Sequence, residues 1–553
     1  MHASKDERVT QPLPADKGKW LGLALIALGV AMIIVDATIV NVAIPSIIRD
    51  LRIPFTTAEW INTIYALVFA SLLIAVGRVA DIFGRKRLFL TGLVIFVGAS
   101  MLAGLAPSGG WLLAARFLQG IGGAIILPST LSTLNATFQG RERAIAFGVW
   151  GSVIGGMAAL GPLLGGWLTT DFSWRWAFYI NVPIGLIAFL GSLRYVVETR
   201  DENAELVFDI PGTIAVTIGL AALVFGLIEG ETYGWLRPKR EFTVGPWTWP
   251  FQSVSVIVFA FALAAVCLVS FALMERARAH AGRTVLLDFR LFRLRGFAYG
   301  NLAALIVSLG EFGLIFVIPL FLQAVLGYSA FRTGVVLISL AAGAFVAGPS
   351  AAQLSSRIGA RRVVSLGMAL EAVGVLFVAR ILTPDVTGLE LAPFLFVYGM
   401  GVGFATAQLT SVILADVPTE QSGQASGTQS TVRQVGSALG IAILGTLLTV
   451  GLASGTRTRL ADAPRLSPQA VDLIVQVTSS SAGTGLRALC STPASAGSPV
   501  CRPAVLSAIQ AKVDYAFVES TRRVALVGAG FILVGLVASL LLPRAARVDT
   551  TRA

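Results

Sequence analysis

The chain has 553 residues, 55% of them hydrophobic and only 13% charged, against roughly 25% charged in a soluble domain. Water would force so apolar a chain to aggregate, and a lipid bilayer is the solvent that suits it. The net charge of +12 does not mark a nucleic-acid binder, because the basic residues sit in short connections between apolar runs; three Cys and two His exclude a Cys/His metal framework.

A polar tail, residues 1–19, leads into an apolar stretch from Trp20 to Ile48. That stretch outlasts the roughly 7 to 15 residues of a signal-peptide core, so it reads as a retained first helix. Runs of about 20 apolar residues then recur, each able to cross a hydrocarbon core of about 30 Å. The expected spans are 20–46, 58–77, 88–106, 111–133, 144–168, 175–196, 210–229, 251–274, 297–322, 333–354, 363–381, 392–415, 425–450 and 523–542. They define an all-α polytopic membrane protein of about fourteen transmembrane helices.

Basic residues collect in alternate connections: Arg85-Lys86-Arg87, Arg141 with Arg143, the stretch from Arg276 to Arg295, and Arg361-Arg362. The positive-inside rule assigns these connections and the N-terminus to the cytoplasm. An even number of spans returns the tail 543–553, with Arg544 and Arg547, to the same side. The segment from Gly451 to Arg522 is then extracytoplasmic although basic, and long translocated loops largely escape the rule. It is rich in Ser, Ala, Gly and Pro, with room for short helices near Pro468 to Val477 and Ala504 to Val518. It could cap the outer face, dock an extracytoplasmic partner, or be a disordered tether. Cys490 and Cys501 share this loop; they are disulfide-bonded if it faces an oxidising compartment and free thiols otherwise.

One segment occurs twice, as Gly77-Arg-Val-Ala-Asp-Ile-Phe-Gly-Arg-Lys-Arg87 and as Ala352-Gln-Leu-Ser-Ser-Arg-Ile-Gly-Ala-Arg-Arg362. Gly84 aligns with Gly359, and the same offset carries Asp36 onto Glu311, so each repeat has a carboxylate inside its first helix. Ser356 stands opposite Asp81 in the second copy. The repeat organises the chain as a six-helix half at 20–197, a linker at 198–296 with two inserted helices, and a second six-helix half at 297–542.

Several segments resemble the major facilitator superfamily, and within it the fourteen-span drug:proton antiporter branch. Gly77 to Arg87 resembles that superfamily's loop motif between helices two and three. Asp36-Ala-Thr-Ile-Val-Asn-Val-Ala-Ile-Pro45 resembles the first-helix pattern of the branch. Arg116-Phe-Leu-Gln-Gly120 with Gly122-Gly123 is similar to the fourth-helix motif, and Gly161-Pro-Leu-Leu-Gly-Gly166 to the fifth-helix antiporter motif. Trp174-Arg-Trp-Ala-Phe-Tyr-Ile-Asn-Val-Pro-Ile-Gly185 and Arg433-Gln-Val-Gly-Ser-Ala-Leu-Gly440 also resemble the branch. One departure is Met157, where the antiporter motif often has Gly. The resemblance implies the superfamily fold of two six-helix halves plus two inserted helices. It also implies a proton-coupled exporter of amphipathic drugs or antibiotics, working by alternating access in a bacterial-type cytoplasmic (inner) membrane as a monomeric transport unit. The alternatives are a transporter of a metabolite, siderophore or lipid, and a scaffold or sensor that no longer transports.

Asp36 is the first candidate for proton coupling, since an ionised carboxylate in the bilayer costs several kcal/mol and tends to take up a proton instead. Glu311 invites the same argument. Arg116 keeps its charge at any working pH and needs a carboxylate, a carbonyl or water; in the family the matching Arg is thought to respond when a neighbouring acid is protonated. Arg433 is a candidate for gating or for binding carbonyls. Glu371 and Glu229 read as acids close enough to an interface to snorkel. Gly77 and Gly84 permit close approach and a tight turn, Asp81 can meet a helix terminus, and Arg85, Lys86 and Arg87 anchor the cytoplasmic face. Gly161 and Pro162 with Gly165 and Gly166 would kink helix five and thin its surface. No catalytic triad, metal cluster or phosphate-binding loop is present in the sequence, so neither an enzyme nor direct use of ATP is expected; protons as the coupling ion are what the resemblance implies.

Overall fold

A computed structural model describes residues 16–200, 209–244, 247–461, 467–480, 490 and 501–543. The tail residues Arg544 and Arg547 lie outside the described residues. With no water in a hydrocarbon core, each crossing segment has to satisfy its own backbone, and these apolar runs do so as α-helices. The first seven are α1 (Asp16–Leu51), α2 (Phe55–Phe83), α3 (Arg85–Gly104), α4 (Gly109–Thr137), α5 (Gly140–Asp171), the short α6 (Trp176–Tyr179) and α7 (Asn181–Tyr195). A linking pair follows, α8 (Ile210–Tyr233) and α9 (Val256–His280), joined by a connection that holds a two-residue antiparallel ribbon at Thr243–Val244 and Trp247–Thr248. The remaining helices are α10 (Arg295–Ala324), α11 (Ala330–Ile358), α12 (Ala360–Ile381), α13 (Gly388–Ile413), α14 (Ser422–Ala461), α15 (Pro468–Ser480) and α16 (Pro503–Ser539). Among the described residues thirteen stretches are long and apolar enough to cross a bilayer, and the bent α5 makes fourteen.

Local chemistry sets the ends. Ser108, Ser255, Ser329 and Thr387 cap α4, α9, α11 and α13 by accepting from backbone N–H groups of the first turn, which offsets the orphan donors every helix start exposes. The duplicated segment breaks its helices identically. α2 gives way to α3 at Gly84 (φ 105°) and α11 to α12 at Gly359 (φ 88°), a left-handed backbone that glycine adopts without steric cost.

In the first half α4 packs on α2 and α3, while α1 packs on α5 and α7; in the second, α13 packs on α11 and α12, and α10 on α14 and α16. The halves meet where α5 lies along α11 and where α2 and α4 lie against α14. The inserted α8 touches both halves through α2 and α14. Glu229 accepts from Thr63 Oγ1 of α2 at 2.9 Å, and Glu231 from Thr446 Oγ1 of α14 at 3.1 Å. Glu229 is therefore a buried, bonded acid rather than a snorkelling one.

The expected loop from Gly451 to Arg522 is largely helix. α14 continues to Ala461 and α16 begins at Pro503, so both extend well past the bilayer-length segments 425–450 and 523–542. α15 packs against them, and Leu460, Ile474, Ile509 and Val513 form a small apolar core. Such a core gives these residues a stable place that composition alone did not reveal. Cys490 and Cys501 are joined in a disulfide, with their Cα atoms 5.3 Å apart.

Candidate functional site

Asp36 and Arg116 form one buried centre in the first half. Both side chains are 0% exposed, and Arg116 Nη1 stands 2.5 Å from Asp36 Oδ2. Asp36 Oδ1 accepts from Gln119 Nε2 at 3.0 Å and from Asn181 Nδ2 at 2.8 Å. Both amides also donate to Ser100 Oγ, at 2.7 and 3.2 Å. Arg116 donates through Nε to the Ile61 carbonyl at 3.1 Å and through Nη1 to Gln119 Oε1 at 2.9 Å. Its guanidinium carbon lies 4.1 Å from the centroid of the Tyr65 ring, a cation–π contact that also desolvates it. Five helices thus contribute to one ion pair: α1, α2, α3, α4 and α7. Each oxygen of Asp36 accepts and neither donates, which is the arrangement of an ionised carboxylate.

The second half carries a looser centre. Glu311 of α10 is buried, and Arg433 Nη2 of α14 is 3.8 Å from its Oε2, too long for a hydrogen bond. Neither carboxylate oxygen of Glu311 has a hydrogen-bond partner among the described residues. Glu371 of α12 is 0% exposed, likewise without a hydrogen-bond partner, and it lies in the electrostatic field of Glu311 and Arg433. The expectation that Glu371 snorkels to an interface is corrected by this burial: it sits at the middle of α12, and its short side chain reaches no surface. Tyr398 of α13 donates its hydroxyl to the Glu311 carbonyl at 3.1 Å. Asp36 and Glu311 are not brought together; each is enclosed by helices of its own half. Nor does the repeat extend to their cationic partners, since Arg116 comes from the fourth helix of its half and Arg433 from the fifth.

The basic connections stand at one end of the bundle, where the halves are latched. Asp81 accepts from the backbone N–H groups of Gly423 at 2.8 Å and Gln424 at 3.1 Å, in the first turn of α14, where the helix dipole favours an anion. Arg85 Nη2 bonds Asp81 Oδ1 at 2.9 Å and the Thr419 carbonyl at 2.6 Å. Arg85 is therefore only 2% exposed, a buried clamp and not a surface anchor. Lys86 and Arg87 fit the surface role better: Lys86 Nζ reaches the Leu193 carbonyl, and Glu198 accepts from both of their backbone N–H groups. Gly77 brings α2 against α14 so closely that a Cβ there would collide with the Gly423 carbonyl. Asn135 Nδ2 of α4 adds a bond to Ser422 Oγ at 2.8 Å.

On α5 the small residues face two ways. Side chains at Gly161 and Gly165 would strike Thr38 and Ile39 of α1, just beyond Asp36, whereas one at Gly166 would strike the Phe331 backbone of α11. The axis of α5 bends by 43° between Ala158 and Leu160, within the turn whose hydrogen bond Pro162 removes. This helix consequently touches both the first buried centre and the opposite half.

Gln119, Ser100, Asn181 and Tyr65 are the residues to which sequence reasoning gave no role, and Glu371 is the one it placed near an interface. Gln119 follows Arg116 by three positions and so shares its helix face. Asn181 is a polar residue inside an otherwise apolar span. Those were the available signals.

A bundle of this architecture, with ionisable residues buried between helices, defines a secondary transporter. Residues 26–209 and 211–441 match the Major Facilitator Superfamily, and the chain belongs to that family. It is 36% identical over 440 residues to the puromycin resistance protein pur8 of Streptomyces alboniger, covering 78% of this chain and 82% of that protein. It is 35% identical to a probable actinorhodin transporter of Streptomyces coelicolor, over 78% of this chain and 72% of that one. With the tetracenomycin C resistance and export protein of Streptomyces glaucescens it shares 32% identity, over 81% and 80%. These relatives place it in the drug-exporter branch. The human organic anion transporter MFSD10 has the same fold, with a TM-score of 0.54, 12% identity, and coverage of 95% of this chain and 98% of the other.

Proposed function

We propose that the protein exports amphipathic antibiotics or drugs in exchange for protons, with Asp36 as the proton-binding residue of the first half and Arg116 as its partner. The observation that carries this reading is the wholly buried Asp36–Arg116 pair, whose hydrogen bonds match the ionised, proton-free state. Protonating Asp36 removes its attraction for Arg116. The guanidinium then keeps the Ile61 carbonyl, Gln119 and the Tyr65 and Phe178 rings, so α1 and α4 are free to shift. Because Gly161 and Gly165 pack on α1 and Gly166 on α11, that shift can pass into the interface between the halves.

Protons supply the free energy, about 2.3 kcal/mol per charge for each 100 mV of membrane potential. The substrates are lipophilic molecules of the kind handled by the relatives, of which puromycin is a practical probe. The basic end faces the cytoplasm, with both termini, in a bacterial-type inner membrane. The helical extension of α14, α15 and α16 then faces outward, where its disulfide is chemically at home and where it can cover the outer face or meet an extracytoplasmic partner. One polypeptide is the transport unit, and it carries solutes without altering them covalently.

Everted membrane vesicles containing the wild type should accumulate puromycin when energised and lose it on addition of an uncoupler. Asp36→Asn, an isostere that keeps one acceptor, should reach the membrane in normal amounts and accumulate none. Undiminished, uncoupler-sensitive accumulation by Asp36→Asn removes Asp36 from the mechanism.

A further inference from the structure

The inserted helices α8 and α9 carry a buried pair of acids at their basic end, outside both centres described above. Asp209 caps the start of α8 and Glu275 stands near the end of α9; they are 4% and 0% exposed. Asp209 Oδ1 accepts from the Gly212 N–H at 3.0 Å and lies 3.3 Å from Arg278 Nη1. Glu275 Oε2 accepts from the N–H groups of Leu286 and Leu287, at 2.7 and 3.0 Å. Each acid keeps one buried oxygen that receives no donor among the described residues, Asp209 Oδ2 and Glu275 Oε1. Those two oxygens converge: a Cβ on Gly212 would strike both, and the two side chains stand in hydrogen-bond contact. Carboxylates accept and do not donate, so that contact requires a proton on one of the two.

The same pair holds a segment that reaches the latch. Leu286 and Leu287, which donate to Glu275, are buried in the main apolar core. The next residue, Asp288, donates its N–H to Gln424 Oε1 at 2.9 Å, and Gln424 donates its own N–H to Asp81. A chain of bonded and adjacent residues thus runs from the acid pair through 286–288 to the first turn of α14, where Asp81 closes the basic end. Arg278 is the cation in contact with the pair. Of the other charged groups on α9 and the α9–α10 connection, Arg276 lies over the Phe289 ring, His280 bonds the Arg276 carbonyl, Arg283 is exposed and Arg290 is paired with Asp288. From α2, packed against α8, Asp81 is held by Arg85, with Arg78 one turn before it; the first turn of α14 brings no acid.

We propose that Asp209 and Glu275 form a proton-dependent clip through which cytoplasmic pH sets how readily the latch opens. The inference goes beyond the exchange mechanism and rests on that reading only for the opening of the basic end toward the cytoplasm. With one proton shared, the pair carries a single negative charge, which Arg278 balances, and Glu275 holds 286–288 in place. When that proton leaves to an alkaline cytoplasm, two carboxylates face each other beside one guanidinium. Their repulsion drives Glu275 from Asp209, the N–H groups of Leu286 and Leu287 lose their acceptor, and Asp288 loosens its hold on Gln424. The docked segment binds one more proton than the released one, so the closed end is favoured at lower pH and released as pH rises. Since the exchange brings protons inward, it restrains itself as the cytoplasm acidifies.

The test places a reporter thiol behind the latch of the full-length protein, Ser426→Cys with Cys267→Ser. Ser426 is buried on α14 and its hydroxyl makes no hydrogen bond among the described residues, so the exchange removes none. In everted vesicles the bath is the cytoplasmic side. Reaction of the thiol with a membrane-impermeant maleimide is followed across pH, each rate divided by that of the same thiol in unfolded protein. With the native clip the corrected rate should rise about tenfold from a mildly acidic to an alkaline bath. Glu275→Gln still offers an acceptor to Leu286 and Leu287 and donates to Asp209 without titrating, so it should keep the rate low at every pH. Glu275→Ala should raise the rate at every pH, which separates loss of the clip from loss of its proton. A rate that is flat across pH with the native clip, that climbs with pH in Glu275→Gln, or that is as low in Glu275→Ala as in Glu275→Gln overturns the proposal. Any of these beside puromycin accumulation that Asp36→Asn still abolishes leaves the exchange mechanism standing. Accumulation indifferent to uncouplers overturns that mechanism, whatever the thiol reports.

Discussion

Arg116 cannot be discharged at any working pH, so every state of the protein has to give its guanidinium a counter-charge, a carbonyl or water. In the structure Asp36 supplies the charge and Ile61 the carbonyl. Arg116→Ala should therefore destabilise the protein by about 3 to 5 kcal/mol, since it strands a buried carboxylate. Arg116→Ala combined with Asp36→Asn should recover much of that loss, and thermal unfolding in detergent reads both. Equal melting of the single and double variants would show that the pair is not what stabilises this centre. Asp36, Arg116, Glu311 and Arg433 were legible in the sequence because a charge inside an apolar run has few bland explanations. Ser100 and Asn181 were not: neutral polar residues are common in membrane helices, and their meaning here depends on contacts among α1, α3 and α7. Glu371 stands in the middle of its span in both sequence and structure, but only the packing of α12 against α13 shows that no solvated end lies within its reach.

Among the elements, the two copies of the repeated segment share their backbone but not their chemistry. Both break at a positive-φ glycine. Only the first carries an acid aimed at a helix start, Asp81 on α14; its counterpart Ser356 bonds back to the Gln353 carbonyl of its own helix. The latch at the basic end is one-sided. Asp81→Asn should cost the latched state about 2 kcal/mol, a shift of roughly thirtyfold in the equilibrium between closed and open basic ends. Gly77→Val should have a stronger effect for a steric reason, by forcing α2 off the Gly423 carbonyl. Reactivity of single cysteines lining that end toward a membrane-impermeant thiol reagent measures both; unchanged reactivity in both variants would mean these contacts do not hold the end shut. The helix boundaries themselves were largely legible from apolar runs. The extensions of α14 and α16 were missed because their stabilising core is assembled from Leu460, Ile474, Ile509 and Val513, residues scattered through a segment whose composition resembles a linker.

For the molecule as a whole, the halves touch along α5 and α11 and are latched through α2, α4 and α14, so transport by alternating access requires the latch to open once per cycle. Asn135→Cys with Ser422→Cys places two thiols where a hydrogen bond now crosses between the halves. Oxidation should stop puromycin accumulation and reduction should restore it; full activity in the cross-linked protein would mean that this end never opens. The fold was readable from the sequence, because the family's motifs stand in order along the apolar runs. The pairing of Glu311 with Arg433 was not, since the two halves recruit their cations from different helices. The central claim is that the buried Asp36 couples substrate to protons. It is tested most directly in proteoliposomes that have no energy source other than an imposed puromycin gradient, with proton movement followed by a trapped pH dye. The wild type should drive protons against the flow of puromycin, and Asp36→Asn should drive none. Puromycin flux through the wild type without any counterflow of protons would contradict the account.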